Sequence, residues 1–250
     1  MRQIDETLAI VIRGVDFSET SRIVTLLTRN LGKIAAIAKG GRRIKSSFDL
    51  SLDVLSVCRI CVIRKPTAEL DLLTEARLEE RFVGLQRNLP ALYAGYFAAE
   101  IVDGLLQSHD PHPEVYDETV AALRSLDAGH DRLKVVGRLT ARLLVELGYA
   151  PRLDACCVCG AACPMGQSWV AYSAATGGVL CDDCRKNHFG SVQLTPSTLR
   201  SLSGLFADDP GKAARSPLEA KDRGPVWRTL LLHLQIQLGK TPKTAALLRW

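Results

Sequence analysis

The sequence has no long apolar run. Residues 8–12 form the first one, but Arg13 ends it, and no later segment approaches the roughly 20 apolar residues that a membrane span requires. The start of the chain also lacks the apolar stretch of a signal peptide. Eight cysteines without an export signal favour a reducing compartment, where thiols bind metals more often than they form disulfides. We therefore expect a cytoplasmic protein with no membrane partner.

Signatures of catalysis are also missing. The chain contains no Walker-type phosphate loop, no H-E-x-x-H pair and no G-x-S-x-G elbow, and its five histidines are scattered. The acidic pairs Glu79-Glu80 and Asp182-Asp183 are adjacent residues, which is typical of solvated faces rather than of a two-carboxylate catalytic site. These absences predict a protein that is not an enzyme.

Aromatic residues and excess charge are both scarce. Aromatic residues make up only 6% of the chain, and Phe17 and Phe48 are the only ones in the first eighty residues, so a base-stacking platform would be weak. The net charge of +5 is too small to prove a polyanionic partner unless the positive residues are concentrated. The 47% of hydrophobic residues is ordinary for a globular protein and permits a substantial core.

The first eighty residues have the pattern of a β domain. They are rich in β-branched residues and punctuated by glycine, with strand-like runs at residues 8–12, 21–28, 33–38, 54–63 and 71–78. Five short strands joined by tight turns predict a small barrel or sandwich. The OB-type barrel is the commonest five-stranded solution that also binds nucleic acid.

The rest of the chain has a helical period, interrupted by a cysteine-rich insert. Pro90 predicts a kink or a division in the first helical stretch, and Gly148 is placed to cap a later helix. Pro196 and Pro225 each predict a helix start, and residues 208–223 predict a mobile loop. The predicted fold is α+β, with an OB-fold barrel at 1–80, helical parts at 81–150 and 191–250, and a zinc module at 151–190.

Two C-x2-C pairs carry the strongest signal in the sequence. Cys156 and Cys159 are separated by a gap of 21 residues from Cys181 and Cys184, which is close to the spacing of tetrahedral structural zinc sites. Two intervening residues let a tight turn point both sulfurs at one ion. Because four thiolates leave no open coordination position, we predict one structural Zn²⁺ rather than a catalytic metal.

The remaining cysteines leave alternatives open. Cys157 and Cys163 could compete as ligands, although the regular pairs are preferred. Cys58 and Cys61 also form a C-x2-C pair, but they lie in a strand-like run, where side chains three apart point to opposite faces and cannot share an ion. We expect both to be core residues.

The positive charge is concentrated near the middle of the β region. Five basic residues lie within thirteen positions without an intervening acid, around Gly40-Gly41, and basic residues 59, 64 and 65 could extend the patch. Phosphate backbones favour such a cluster, because neutralising each phosphate releases counterions. The alternative is an ordinary solvated loop. The predicted DNA contacts are Lys33, Lys39, Arg42, Arg43, Lys45, Arg64 and Lys65.

Three sequence segments resemble a known family. They are D-F-S-E-T-S-R-I-V at residues 16–24, A-K-G-G-R-R at 38–43, and L-G-Y-A-P-R-L-D at 147–154, which leads into Cys156, Cys159 and Gly160. In order, content and total length the chain is similar to the bacterial recombination-repair RecO family. The resemblance implies an N-terminal OB fold, a helical domain and a zinc module.

The resemblance also implies a function. Members bind single- and double-stranded DNA and anneal complementary strands coated by single-strand-binding protein, whose C-terminal tail is an expected partner. With the partner RecR they help to load the RecA recombinase. This implies a bacterial, nucleoid-associated protein without a nucleotide cofactor.

Two other functions remain compatible with the motifs. A zinc-ribbon module that acts on RNA or in transcription would share the cysteines and the basic cluster. A zinc or thiol enzyme is a weaker alternative, because a site filled by four thiolates offers neither an open metal position nor a free reactive thiol.

Overall fold

The computed structural model describes residues 4–42, 48, 51–64, 69–162, 168–207 and 218–250. The chain divides into two compact units, Met1–His130 and Asp131–Trp250, called unit 1 and unit 2 below. The first helices after the barrel therefore belong to the same compact unit as the barrel itself. The four-part division made from the sequence stays a prediction.

Unit 1 begins with a closed five-stranded barrel, which confirms the predicted fold class. Its strands follow the order β1-β2-β3-β5-β4, with β4 pairing back to β1. The β3–β5 pair is parallel and the other pairs are antiparallel. The strands are β1 Ile4–Asp16, β2 Arg22–Thr28, β3 Gly32–Ala38, β4 Val57–Ile63 and β5 Asp71–Glu80.

Side chains that alternate between the interior and the surface of the barrel form its core. On β2, Val24 and Leu26 are fully buried, whereas Ile23 and Thr25, which precede them, are partly exposed. β1 is longer than the five-residue run that predicted it, because its two halves pair with different strands: residues 4–10 pair with β4, and residues 9–16 pair with β2. A β-bulge between Val11 and Arg13 bends the strand between these two ladders and so helps to close the barrel.

Three helices complete unit 1: α1 Val83–Arg87, α2 Leu89–Leu105 and α3 Pro113–Asp127. Pro90 divides the first helical stretch, as predicted, because it lies in the first turn of α2, where no intrahelical donor is needed. The Asn88 side chain caps this start by accepting a 3.2 Å bond from the Ala91 N–H. Arg124 on α3 grips Glu80 of β5 with three hydrogen bonds of 2.7–3.1 Å and so ties this helix to the barrel.

Unit 2 surrounds a small antiparallel sheet with helices. The sheet has the order β7-β6-β8, and Gly148 ends the first helix as predicted, with φ +75° and a 2.6 Å bond from the Tyr149 N–H to the Leu144 carbonyl. The elements are α4 Arg132–Glu146, β6 Val170–Ser173, β7 Gly178–Leu180, α5 Asp182–Arg185, β8 Val192–Leu194, α6 Pro196–Leu205, α7 Ala220–Leu238 and a 3-10 helix Lys243–Leu247.

The start of α7 differs from the sequence prediction. Pro225 was expected to open this helix, but the helix begins at Ala220, and the predicted loop therefore ends earlier than residue 223. Asp222 gives the reason: its buried carboxylate accepts 2.9 and 2.7 Å bonds from Ser197 and Thr198 at the start of α6. This tertiary contact holds the first turn of α7 in place, although Pro225 has no backbone N–H and so cannot donate a hydrogen bond to that turn. Residues 208–217 of the predicted loop lie outside the described residues.

A buried histidine joins three elements of unit 2. His233 on α7 is 2% exposed, and its Nε2 lies 2.7 Å from the Tyr149 carbonyl just after α4. Its Nδ1 lies 2.8 Å from the hydroxyl of Tyr172 on β6. A carbonyl only accepts, so Nε2–H donates to it, and in the neutral ring Nδ1 then accepts from the tyrosine. The ring is neutral in this arrangement, and burial lowers the pKa of His233 below its ordinary value.

Unit 2 is consequently expected to lose stability as the pH falls below about 6.5, the ordinary histidine pKa. Below that pH the unfolded chain binds a proton at His233, whereas the folded protein does not. The free energy of unfolding therefore decreases as the pH falls, until the lower pKa of the folded state is reached. Urea unfolding between about pH 8 and about pH 5 should show a weaker pH dependence for His233→Gln than for the parent. Parallel curves would contradict this role.

Candidate functional site

Four cysteines of unit 2 converge on one point. The Sγ atoms of Cys156, Cys159, Cys181 and Cys184 all lie within 4.8 Å of one another, and we call them the four-cysteine cluster. Cys156 is fully buried, whereas Cys159 is exposed, so the cluster sits at the edge of the unit. The structure thus brings together the four residues that the spacing singled out.

Local backbone geometry places each pair. After the first pair, Gly160 adopts φ +76° and its N–H donates to the Cys156 carbonyl at 2.9 Å, which closes a tight turn under the sulfurs. In the second pair, Cys181 caps α5, and its Sγ accepts a 3.5 Å bond from the Cys184 N–H. A 2.9 Å bond from the Cys157 N–H to the Val179 carbonyl ties the first turn to β7, just before the second pair.

The thiols cannot all ionise together without a cation. Burial of Cys156 opposes ionisation, but neighbouring backbone N–H groups, chiefly those of Cys159 and Cys181, outweigh it and lower the pKa of Cys156 to about 6. Hydrogen bonding with Cys181 and Cys159 raises the pKa of Cys184 instead. A divalent cation would remove this conflict by stabilising all four thiolates.

The geometry fits one tetrahedral zinc ion. Zn–S bonds of about 2.3 Å place two sulfurs of a tetrahedron roughly 3.8 Å apart. The Cys159 and Cys181 sulfurs are 3.7 Å apart. These four residues therefore form a site that could hold one metal ion, with no coordination position left for a substrate.

The other described cysteines stand apart from this site. Cys157 points away and its thiol contacts the Thr176 hydroxyl at 3.4 Å. Cys58 is fully buried in the barrel, where burial raises its thiol pKa to about 12, whereas Cys61 is half-exposed on the opposite face. The expectation that both are core residues therefore holds for Cys58 alone. Cys163 lies outside the described residues.

The second candidate site is the turn after β3, residues 39–42, called the basic turn. Arg42 is held in place by its backbone N–H, which donates to the Thr20 carbonyl at 3.1 Å, and by its guanidinium, which donates to the Ser18 carbonyl at 2.6 Å. The guanidinium also lies 3.3 Å from the Asp16 carboxylate. Lys39 is exposed at the other end of the turn. The turn thus fixes one cation and leaves another in solvent.

Arg22 on β2 also lies in this region, although it was not among the predicted DNA contacts. Its guanidinium lies 3.8 Å from the Asp16 carboxylate and donates to the Leu52 carbonyl at 3.2 Å. Asp16 is therefore flanked by two guanidinium groups, Arg22 and Arg42, and does not cancel their charge. Arg22 lies in a strand, whereas the predicted contacts were chosen from a basic segment with the pattern of a loop.

The other predicted DNA contacts have different surroundings. Lys33 is largely covered, and its ammonium bonds the Asp103 carbonyl and lies 3.2 Å from the Asp103 carboxylate on α2. Arg64 is exposed, with its guanidinium 3.2 Å from the His109 ring. Arg59, the suggested extension of the patch, pairs with Glu6 and Glu79. The described residues do not include Arg43, Lys45 and Lys65.

Replacing Lys33 by Met is expected to destabilise unit 1 without affecting charge contacts to DNA. Its side chain is only 13% exposed, and removing the ammonium leaves Asp103 without its partner. We expect a loss of about 1–3 kcal/mol in the free energy of unfolding. Denaturant unfolding and a salt titration of DNA binding would separate the two roles. Intact stability with a flatter salt dependence would make Lys33 a phosphate contact instead.

Among the residues that the structure describes, no helix has the length and apolar character needed to cross a bilayer.

Comparison with known proteins identifies the family. Residues 1–82 match the family model described as "Recombination protein O N terminal", and residues 86–246 match "Recombination protein O C terminal". The DNA repair protein RecO of Rhodopirellula baltica is 47% identical over 201 residues, covering 80% of this chain and 74% of the relative. The DNA repair protein RecO of Anaeromyxobacter dehalogenans is 32% identical over 231 residues, covering 92% and 90%. The chain therefore belongs to the RecO family of DNA repair and recombination proteins.

Proposed function

We propose that this chain binds single- and double-stranded DNA, anneals complementary strands, and with RecR helps to load RecA onto DNA coated by single-strand-binding protein. The observation that carries the DNA-binding part is the basic turn, which presents Lys39 and Arg42 beside the first loop of a closed five-stranded barrel. Barrels of this type bind oligonucleotides along β2 and β3 and through the β1–β2 and β4–β5 loops. The bonds from Arg42 to Ser18 and Thr20 join the basic turn to the β1–β2 loop, so that its charges adjoin a loop that such barrels use for binding.

A positive surface of this kind would promote annealing by reducing the repulsion between two DNA strands. Two complementary strands repel each other through their phosphates, and a positive surface that contacts both backbones reduces this repulsion. Lys39 and Arg42 offer cations that read no base edge, so the bases stay free to pair. Contacts of this kind tolerate any sequence, as a repair protein requires. The proposal involves no bond-breaking step.

The four-cysteine cluster takes a structural role in this proposal. When bound, a zinc ion would offset half of the negative charge of the four thiolates and cross-link the two turns that carry them. The chain's own residues supply the rest: Gly160 permits the first turn, and the Cys157 bond to β7 joins it to the sheet. No position remains for a water or a substrate on the metal.

We assign the protein partners mainly to the helices and the zinc-binding part, which leaves the basic turn for DNA. RecR and the acidic C-terminal tail of single-strand-binding protein are the proposed partners, and RecA is an indirect one. A cationic rim around an apolar groove suits such a tail. The proposed place of action is the bacterial cytoplasm, at the nucleoid.

A competition experiment separates this proposal from its rivals. The protein is titrated with labelled single-stranded DNA against unlabelled single-stranded DNA, duplex DNA and structured RNA, in the presence of zinc. We expect both DNA forms to compete independently of sequence. Preference for one structured RNA would favour the RNA-binding alternative, and a free, readily alkylated thiol within the four-cysteine cluster would favour the thiol enzyme.

The mediator step needs its own measurement. RecA ATP hydrolysis on gapped DNA coated by single-strand-binding protein reports filament loading. We expect a shorter lag only when this protein and RecR are both added. An unchanged lag with both present would remove the loading step from the proposal while leaving DNA binding and annealing intact.

A further inference from the structure

Phe17 is placed unlike the other aromatic side chains of unit 1. Its side chain is 61% exposed, in the turn between β1 and β2. By contrast, Phe48, Phe82, Phe97 and Tyr116 are at most 5% exposed, and Tyr93 and Tyr96 on α2 are only partly exposed. A lone exposed aromatic can be neutral, and what distinguishes this one is its support and its neighbours.

The turn that carries Phe17 is fixed by hydrogen bonds. The Phe17 N–H donates to the Ser21 carbonyl at 3.1 Å, and the Ser21 N–H donates back to the Ser18 hydroxyl at 3.1 Å. These bonds tie both ends of the turn together, so its backbone is ordered before any ligand arrives. An aromatic ring on an ordered turn loses little conformational entropy when a flat ligand packs against it.

The Arg42 guanidinium contacts both residues that flank Phe17 in the sequence. The Arg42 guanidinium lies 3.3 Å from the carboxylate of the preceding residue, Asp16, and donates to the carbonyl of the following residue, Ser18, at 2.6 Å. The turn that carries Phe17 is therefore bonded directly to the basic turn. Val15, two residues earlier on β1, is 47% exposed and extends the apolar edge.

This juxtaposition matches the chemistry of one nucleotide of a single strand, an apolar flat base linked to a phosphate. A base stacked on the ring would leave its backbone on the side of the molecule that carries the basic turn, because Arg42 bonds the turn that holds Phe17. Single-strand binding commonly combines an electropositive path with aromatic stacking, which is indifferent to sequence because every base has a π face. Paired bases inside a duplex cannot make this contact.

We propose that Phe17 stacks on an unpaired DNA base and so gives the basic turn a preference for single strands over duplex. The inference rests on the proposed DNA-binding function, which it deepens. It also refines the expectation of a weak stacking platform: one ring stacks one base, so neighbouring bases stay free to pair during annealing.

The test compares Phe17→Ala, Phe17→Leu and Phe17→Trp with the parent, using oligo(dT) and a duplex of equal length. We expect Phe17→Ala to bind the single strand about 5- to 10-fold more weakly, at the low end of what one stacked base contributes. Duplex binding and the salt slope should stay unchanged, because no charge is lost. Phe17→Leu should resemble Phe17→Ala, because an apolar chain without a ring does not stack.

Phe17→Trp keeps a ring and provides a direct signal. Its added tryptophan fluorescence should be quenched when oligo(dT) binds and much less when the duplex binds, with single-strand affinity at or above that of the parent. Equal affinities of the parent and Phe17→Ala for oligo(dT), or equal losses for both DNA forms, would overturn the inference. A parent protein that bound neither DNA form would instead overturn the proposed function, so the two failures are distinguishable.

Discussion

Cys159→Ser and Cys184→Ser are each expected to abolish stoichiometric zinc binding and to destabilise unit 2 severely. The parent should contain about one zinc per chain, because four sulfurs within 4.8 Å of one another fill a tetrahedron. Removing one thiolate leaves three charged ligands and two turns without a cross-link. We expect the free energy of unfolding to fall by about 4 kcal/mol or more, the range associated with losing a metal.

Cys157→Ser is the matched control for these variants. The same chemical change is made one residue from the cluster, at a thiol that contacts Thr176 instead of its neighbours in the four-cysteine cluster. Metal analysis and thermal unfolding should leave this control close to the parent. Unchanged zinc content in both Cys159→Ser and Cys184→Ser would rule out the metal site.

The second large effect is expected in DNA binding, from the double variant Lys39→Ala with Arg42→Ala. For single strands the slope of log affinity against log salt changes by about 0.7 per phosphate contact, so losing two contacts should flatten it by roughly 1.4. The weakening should be similar for unrelated sequences, because backbone contacts carry no base information. Zinc content should be unaffected, since both residues lie in unit 1.

Arg77→Ala controls for charge in this experiment. Arg77 is exposed on β5, four residues beyond the segment that pairs with the end of β3, and it lies beside Arg59 of β4. Its loss lowers the net charge by one without touching the basic turn. We expect its salt slope to match that of the parent. A slope reduced as much per charge as in the double variant would point to a general charge effect, and the basic turn would lose its special role.

Features that depend on residues close together in the sequence were predicted, whereas features that depend on contacts between distant residues were not. The sequence predicted which four cysteines come together in the four-cysteine cluster, because the pairing within each C-x2-C motif is a local property of a tight turn. The five strands were predicted in number and order along the chain, because alternation is local too. The length of β1 was not, because it depends on a bulge and on pairing with two partners.

Long-range contacts account for what the sequence concealed. Lys33 belongs to the basic cluster in sequence, yet its ammonium is engaged by Asp103, 70 positions away. The start of α7 was misplaced at Pro225 because nothing local announces the buried bonds of Asp222 to Ser197 and Thr198. Phe17 was visible as a rare aromatic, but the sequence did not show that its side chain is exposed in a turn that Arg42, 24 positions after Ser18, bonds.

The most direct test of the account is strand annealing on coated DNA. Two complementary oligonucleotides, one with a fluorophore and one with a quencher, are each covered with single-strand-binding protein before mixing. We expect the parent protein to accelerate quenching strongly, the Lys39→Ala, Arg42→Ala variant to lose most of this acceleration, and Arg77→Ala to keep it. A folded, zinc-loaded parent that left the annealing rate at its spontaneous value would contradict the central claim that this barrel brings DNA strands together.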